Sequence, residues 1–199
     1  MNKRRYEGEQ TKINIADKAK TIFSKKGYAA TSIQDICFAS GCSKGNLYYH
    51  FKSKEDLFVY LEEQAYAEWW MELEKLFSRC KTVTEKLYAY GRFSASVERS
   101  LYSAEREFIN IVDADSEAMQ RFKEIIIKNF EKTQKFINEG ITDGEFKNED
   151  PSELTFIIMS FFAALNHYTL YLMDNEASRD LFSKATTLLL HGISAGNEQ

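Results

Sequence analysis

The sequence predicts an all-α protein of about nine helices, arranged as a small N-terminal three-helix domain and a larger C-terminal helical domain. Three observations carry this reading. The 199 residues hold one proline, Pro151, and nine glycines beside 44% hydrophobic residues, which suits long helices because sheets and irregular loops need more turn residues. Apolar residues recur at three- and four-residue spacing through most of the chain, the period of a helix with one buried face. Capping and stop residues fall where that period breaks, as at Gly27, Gly41 and Ser53.

Taken in order, residues 1–10 lack a periodic apolar face and are expected to form a mobile arm, whose Lys3, Arg4 and Arg5 can follow a phosphate backbone. The first helix is expected from about Asn14 to Lys26, with Ile15, Ala19, Ile22 and Phe23 on its buried face and Gly27 as its stop. Thr31 or Ser32 caps a short second helix carrying Ile33, Ile36 and Cys37, which ends before Gly41. A third short helix follows from Ser43 or Lys44 to Phe51. Ser53, with Asp56 in capping-box position, opens a long helix through Leu57, Leu61, Tyr66, Trp69 and Leu73 to about Cys80. Further helices are expected near 84–100, 104–113, 116–138, 152–173 and 178–191, punctuated by the Gly140 to Gly144 segment and Pro151. The domain boundary is placed between residues 53 and 54, giving domains 1–53 and 54–199.

Charge is segregated. Residues 1–54 hold 11 Lys and Arg against 4 acids, whereas residues 55–199 hold 15 against 26, within an overall net charge of −4. A basic end of this kind suits a polyanionic partner. The longest apolar stretch, Leu154 to Met173, is interrupted by Ser160, Asn166 and His167, so no membrane span is expected. No basic leader with an apolar core opens the chain, and Cys37, Cys42 and Cys80 make no even disulfide framework, so a cytoplasmic protein is expected.

Within residues 31–51, Ile33, Ile36, Cys37, Cys42, Leu47 and Phe51 can pack two short helices around a glycine turn, which is a helix-turn-helix. The polar positions then face outward. A recognition helix offers its N-terminal residues to base edges in the major groove of double-stranded DNA, and Lys44, Asn46 and Tyr48 are placed for that role. Gly45 costs about 1 kcal/mol against alanine inside a helix, yet it lets the backbone approach a duplex closely. Tyr48, Tyr49 and His50 cannot all be buried on one helix face, so at least one reaches a phosphate or a thymine methyl. Lys54 is placed as a phosphate clamp.

The stretch from about residue 13 to 60 resembles the TetR family of bacterial regulators at Thr31-Ser32, Ile36-Cys37, Ser40-Gly41-Cys42, Leu47-Tyr48-Tyr49-His50-Phe51 and Lys54-Glu55-Asp56-Leu57. The run Ser43 to Lys52 is especially similar to the multidrug-responsive QacR-like branch. Cys37, Ser40 and Cys42 depart from the usual Ala, Ala and Val, all small substitutions. The resemblance implies a ligand-responsive repressor that binds a palindromic operator as a homodimer. It further implies that Ser43, Tyr48, Tyr49, His50 and Lys54 touch the DNA backbone, that Lys44, Gly45 and Asn46 approach bases, and that Ser32 and Gln34 flank the groove.

In the C-terminal domain, Leu154, Ile158, Phe161, Leu165, Tyr168 and Leu172 recur at helical spacing, as do Leu181, Ala185, Leu188 and Leu189. Two such faces suit a four-helix dimer seam, with packing inside a monomer as the alternative. Tyr66, Trp69, Tyr90, Phe93, Phe108 and Phe162, with Glu98, Glu107, Asn166 and His167 as polar groups, are candidates for an effector site. Such a lining suits a small, largely apolar or aromatic effector, and its acids suit an organic cation; core packing competes for each ring. No cofactor or metal is expected, since Cys37 and Cys42 have no second pair at zinc spacing. His50, His167 and His191 lie far apart and no phosphate-binding glycine loop is present, which disfavours an enzyme. The alternatives are a helical adaptor that does not bind DNA and a regulator that senses redox state through Cys80 or Cys42.

Overall fold

The computed structural model describes residues 3–96 and 101–193. Among these it contains nine helices and no strand: α1 (Lys3–Lys26), α2 (Ile33–Ser40), α3 (Lys44–His50), α4 (Lys54–Phe77), α5 (Val83–Ser96), α6 (Tyr102–Ile111), α7 (Glu117–Thr142), α8 (Pro151–Leu172) and α9 (Asn175–Ile193). No described helix is long and apolar enough to cross a membrane.

Packing divides the chain into two units. The first comprises α1 to α3, α4 as far as Ala67, α6, and α7 as far as Ile125; the second comprises the remainder of α4 and α7 with α5, α8 and α9. In the first unit Ile15, Ala19 and Phe23 of α1, Ile36 of α2, Leu47 of α3 and Leu57 and Phe58 of α4 are fully buried. Tyr28, between α1 and α2, packs its ring against Phe23, Phe58 and Phe108 at centroid distances of 5.8, 5.1 and 5.2 Å. In the second unit Trp70, Leu73, Leu87, Tyr90, Phe136, Ile158, Phe162 and Phe182 belong to one core. Gly91 of α5 allows the close approach there, because a Cβ on it would lie 2.7 Å from Thr186 Oγ1 and 3.0 Å from Phe162.

Three sequence expectations about the elements are corrected. Helix α1 begins at Lys3 rather than near Asn14, so the segment expected to be a mobile arm is helical from residue 3 onward. Its third turn has ring partners that apolar periodicity does not register: the Lys12 ammonium lies 4.3 Å from the Tyr60 ring centroid and 5.5 Å from that of Phe51. At the start of α4 Ser53 Oγ accepts from Asp56 N–H at 3.1 Å, but the Asp56 carboxylate accepts from Lys52 N–H at 2.9 Å and pairs with Arg121 instead of closing the box. Helix α7 runs through Gly140 to Thr142, since the missing Cβ makes room for Phe146. The turn after it falls at Gly144, φ 74°.

Helix α1 ends where the sequence places its stop: Gly27 adopts φ 80°, the left-handed region that a side chain enters only with strain. Its missing Cβ also admits the Glu107 carboxylate of α6, whose Oε2 accepts from Ala29 N–H at 2.8 Å. Gly27→Ala should therefore destabilise the protein by about 1–3 kcal/mol, seen as a lower urea midpoint with an unchanged slope. An unchanged midpoint would contradict this account of the turn.

Candidate nucleic-acid interface

The helix-turn-helix is built from local bonds. Ser32, at φ −106° and ψ 156°, caps α2: its Oγ accepts from Asp35 N–H, and the Asp35 carboxylate accepts from Ser32 N–H, at 3.1 and 3.0 Å. Asp35 also pairs with Lys26 at 3.1 Å. Gly41, at φ 68°, ends α2, and Asn14 of α1 donates to the Ser40 carbonyl at 2.9 Å. Ser43 caps α3, its Oγ accepting from Asn46 N–H at 3.1 Å. A hydroxyl used this way keeps its own proton to donate elsewhere.

Helix α3 is anchored by Leu47, with no exposed surface, while Phe51 directly after it is 2% exposed. Its other face is open. Ser43, Lys44, Gly45 and Asn46 are exposed, and Tyr48 and Tyr49 are 50% and 83% exposed. His50 is half-buried, edge-on to Tyr49 at 5.0 Å. A Cβ at Gly45 would meet only Ser43 Oγ, at 3.9 Å, so packing within the chain does not require glycine there. On α2, Gln34 is exposed, whereas the Ser32 hydroxyl also donates to Asp35 Oδ2 at 2.8 Å and serves the cap. The sequence reading missed that Ser32-x-x-Asp35 is itself a capping-box pattern.

Lys54 departs from its expected role. Its ammonium donates to the Tyr28 and Thr31 carbonyls, each at 3.0 Å, and lies 4.2 Å from the Tyr28 ring centroid. Burial pushes the Lys54 pKa down, against the opposing pull of Glu55 and Glu107. It therefore clamps the loop between α1 and α2 onto α4.

The C-terminal candidates divide. Leu154, Ile158 and Ala185, expected on a dimer face, are buried in the chain's own core because their side of each helix packs inward. Phe161, Leu165 and Leu181 are half-buried, and Tyr168 and Leu188 are 65% and 64% exposed. The open apolar side of α8 also carries Leu172, which the sequence places on this face, and Phe156 and Ile157, which it does not. Among effector candidates, Trp69 lies 5.5 Å from Tyr90 and 5.7 Å from Phe93 between ring centroids, and Tyr90 lies 5.6 Å from Phe162. Asn166 is half-buried on α8, and Tyr66 is half-buried on the part of α4 belonging to the first unit. Glu107 and Phe108 are engaged in the first unit, Glu107 on Ala29 and Phe108 against Tyr28, Phe58 and Phe122. Glu98 lies outside the described residues.

Comparison with known proteins accounts for both parts of the chain. Residues 15–61 match the family model described as bacterial regulatory proteins, tetR family, and residues 62–195 match that of the QacR-like protein C-terminal region. The chain is 30% identical over 188 residues to the HTH-type transcriptional regulator QacR of Staphylococcus aureus, covering 92% of this chain and 100% of that one. A TetR-family transcriptional regulator from Cytophaga hutchinsonii shares the fold with a TM-score of 0.77 at 20% identity, covering 96% of this chain and 98% of the other. FadR from Bacillus subtilis, solved in complex with stearoyl-CoA, does so with a TM-score of 0.76 at 22% identity, covering 91% and 98%.

Asp35 gives the cap of α2 a pH signature. Its hydrogen bonds from Ser32 and its Lys26 partner lower its pKa from 3.8 to about 2. A depressed carboxylate stabilises the fold above its unfolded pKa and loses that contribution as pH falls toward the folded value. Asp35→Ala should therefore be less stable than the parent at about pH 6, with the gap narrowing below about pH 4, measured by denaturant unfolding across pH. A gap independent of pH would contradict the charged cap.

Proposed function

The chain belongs to the TetR family of bacterial regulatory proteins, with a QacR-like C-terminal region, and from that premise we propose that it is a repressor acting as a homodimer on a palindromic operator in double-stranded DNA. Residues 1–53 carry DNA recognition, and residues 54–199 carry the effector site and the dimer seam. The observation that carries this reading is the open face of α3. Leu47 holds the helix from beneath while Lys44, Gly45, Asn46, Tyr48 and Tyr49 stand outward, as a helix entering a major groove requires. At Gly45 a helix-weakening residue persists where nothing in the chain needs the space, which suits close approach of the helix backbone to the duplex.

One seven-residue helix reads too few base pairs to single out an operator, whereas two related by a dyad read an inverted repeat. The exposed Phe156, Ile157, Tyr168 and Leu172 of α8 and Leu188 of α9 supply an apolar side for a second copy. The effector is a small, largely apolar or aromatic molecule meeting the rings around Trp69 and Tyr90. Because Glu107 is already engaged on Ala29, its carboxylate lends no support to a preference for organic cations. Helices α4 and α7 each contribute to both packing units. An effector that shifts their later turns thereby perturbs the frame that carries α3, and release needs only a few kcal/mol of differential binding.

Selection of genomic DNA fragments by the purified protein near physiological salt, followed by sequencing, tests the proposal. An enriched inverted repeat is expected, with Tyr48→Ala weakening its binding by about tenfold or more while remaining folded. No enrichment by the folded, ligand-free protein would overturn the reading.

A further inference from the structure

The thiols of Cys37 and Cys42 meet across the cap that ends α2. Gly41 turns the chain so that Cys42 N–H donates to the Cys37 carbonyl at 3.1 Å. This is the longer bond of a Schellman cap, which brings the side chains of its two end positions together, commonly as an apolar contact. Here both positions are cysteine, and their Sγ atoms lie 4.0 Å apart with both residues half-buried. Neither thiol belongs to a metal cluster, since the described residues hold no group of three or more possible ligands. The open face of α3 makes no use of them either.

We propose that Cys37 and Cys42 form a modification site for oxidants of the hydroperoxide class, closing to an intramolecular disulfide that weakens DNA binding. The inference rests on the DNA-binding reading above for its consequence, but not for its chemistry. Burial and the facing Cys42 push the Cys37 thiol up, with Lys44 opposing, which disfavours its thiolate for the first attack on peroxide. The Cys42 thiolate attacks one peroxide oxygen as the O–O bond breaks, giving a sulfenic acid and, with hydrogen peroxide, one water. The Cys37 sulfur then displaces the sulfenic hydroxyl, which leaves with a proton as a second water. Two thiols are oxidised by two electrons, and the peroxide is reduced to two waters.

Forming the bond draws the sulfurs together by about 2 Å. The Ser40 hydroxyl, 3.1 Å from Cys42 Sγ, must give way, and the next residue in the chain is Ser43, whose Oγ caps α3 at Asn46. The displacement is thus delivered to Lys44, Gly45 and Asn46, the residues assigned to base edges.

The test treats the full-length protein with hydrogen peroxide and reads two quantities. The first is the tryptic peptide between Lys26 and Lys44, which contains both cysteines and should become lighter by two hydrogens, resist alkylation and recover with dithiothreitol. The second is affinity for the inverted repeat selected by the reduced protein, which should fall by about tenfold or more on oxidation. Cys37→Ser and Cys42→Ser should each retain reduced-state affinity and abolish both responses. Failure of the disulfide to form, its formation with Cys80 instead, or equal DNA affinity of the disulfide form would each overturn the proposal. If the reduced protein binds no DNA while the peptide still cross-links, the DNA-binding reading fails and the dithiol chemistry stands.

Discussion

Tyr28 is the point from which the first unit is organised. Its ring is 1% exposed and touches aromatic side chains from α1, α4 and α6, joining elements far apart in sequence. Burial of such a ring contributes about 1.5–3 kcal/mol, provided its polar atoms are satisfied. They are: the hydroxyl donates to Glu55 at 3.1 Å, and the carbonyl accepts from Lys54 at 3.0 Å. Burial and the neighbouring Glu55 carboxylate push the phenol pKa up, so the group stays a neutral donor. Gly27 on one side and Thr31, whose hydroxyl donates to the Gly27 carbonyl at 2.6 Å, on the other close the loop around it.

This arrangement decides which charges are available to a partner. Lys54 is held by two carbonyls and a ring face, and a hydrogen bond from a charged group contributes roughly 1.5–3 kcal/mol, at the lower end here because Lys54 is partly exposed. Lys26 is paired with Asp35. Lys44 stands exposed in the first turn of α3. The basic surplus of residues 1–54 is thus partly structural, and the part facing outward from the recognition helix is narrower than charge counting suggests.

The elements most legible in the sequence were those fixed by local rules. The start of α3 at Ser43 or Lys44, Gly41 as the stop of α2 and Leu47 with Phe51 as inward anchors follow from spacing alone, because capping and the helical period act within a few residues. What was not legible depends on long-range partners. Lys12 of α1 meets Tyr60 of α4, Lys54 is held by carbonyls more than twenty residues away, and Glu107 accepts from Ala29. On α8 the period was read correctly but its phase was not: Leu154 and Ile158 turn inward, while Phe156 and Ile157 remain open. A helix that is apolar on more than one side does not reveal by pattern which side meets its own core.

On the proposed reading α3, not Lys54, meets the DNA. The direct measurement is the salt dependence of affinity for the selected duplex, compared among the parent, Lys44→Ala and Lys54→Met. Each phosphate contact steepens the slope of log affinity against log salt by about 0.9. Lys44→Ala, which removes a cation from between the phosphates that flank the groove, should flatten it by about one contact, and Lys54→Met should lower thermal stability while leaving the slope unchanged. A slope flattened by Lys54→Met and untouched by Lys44→Ala would contradict the account.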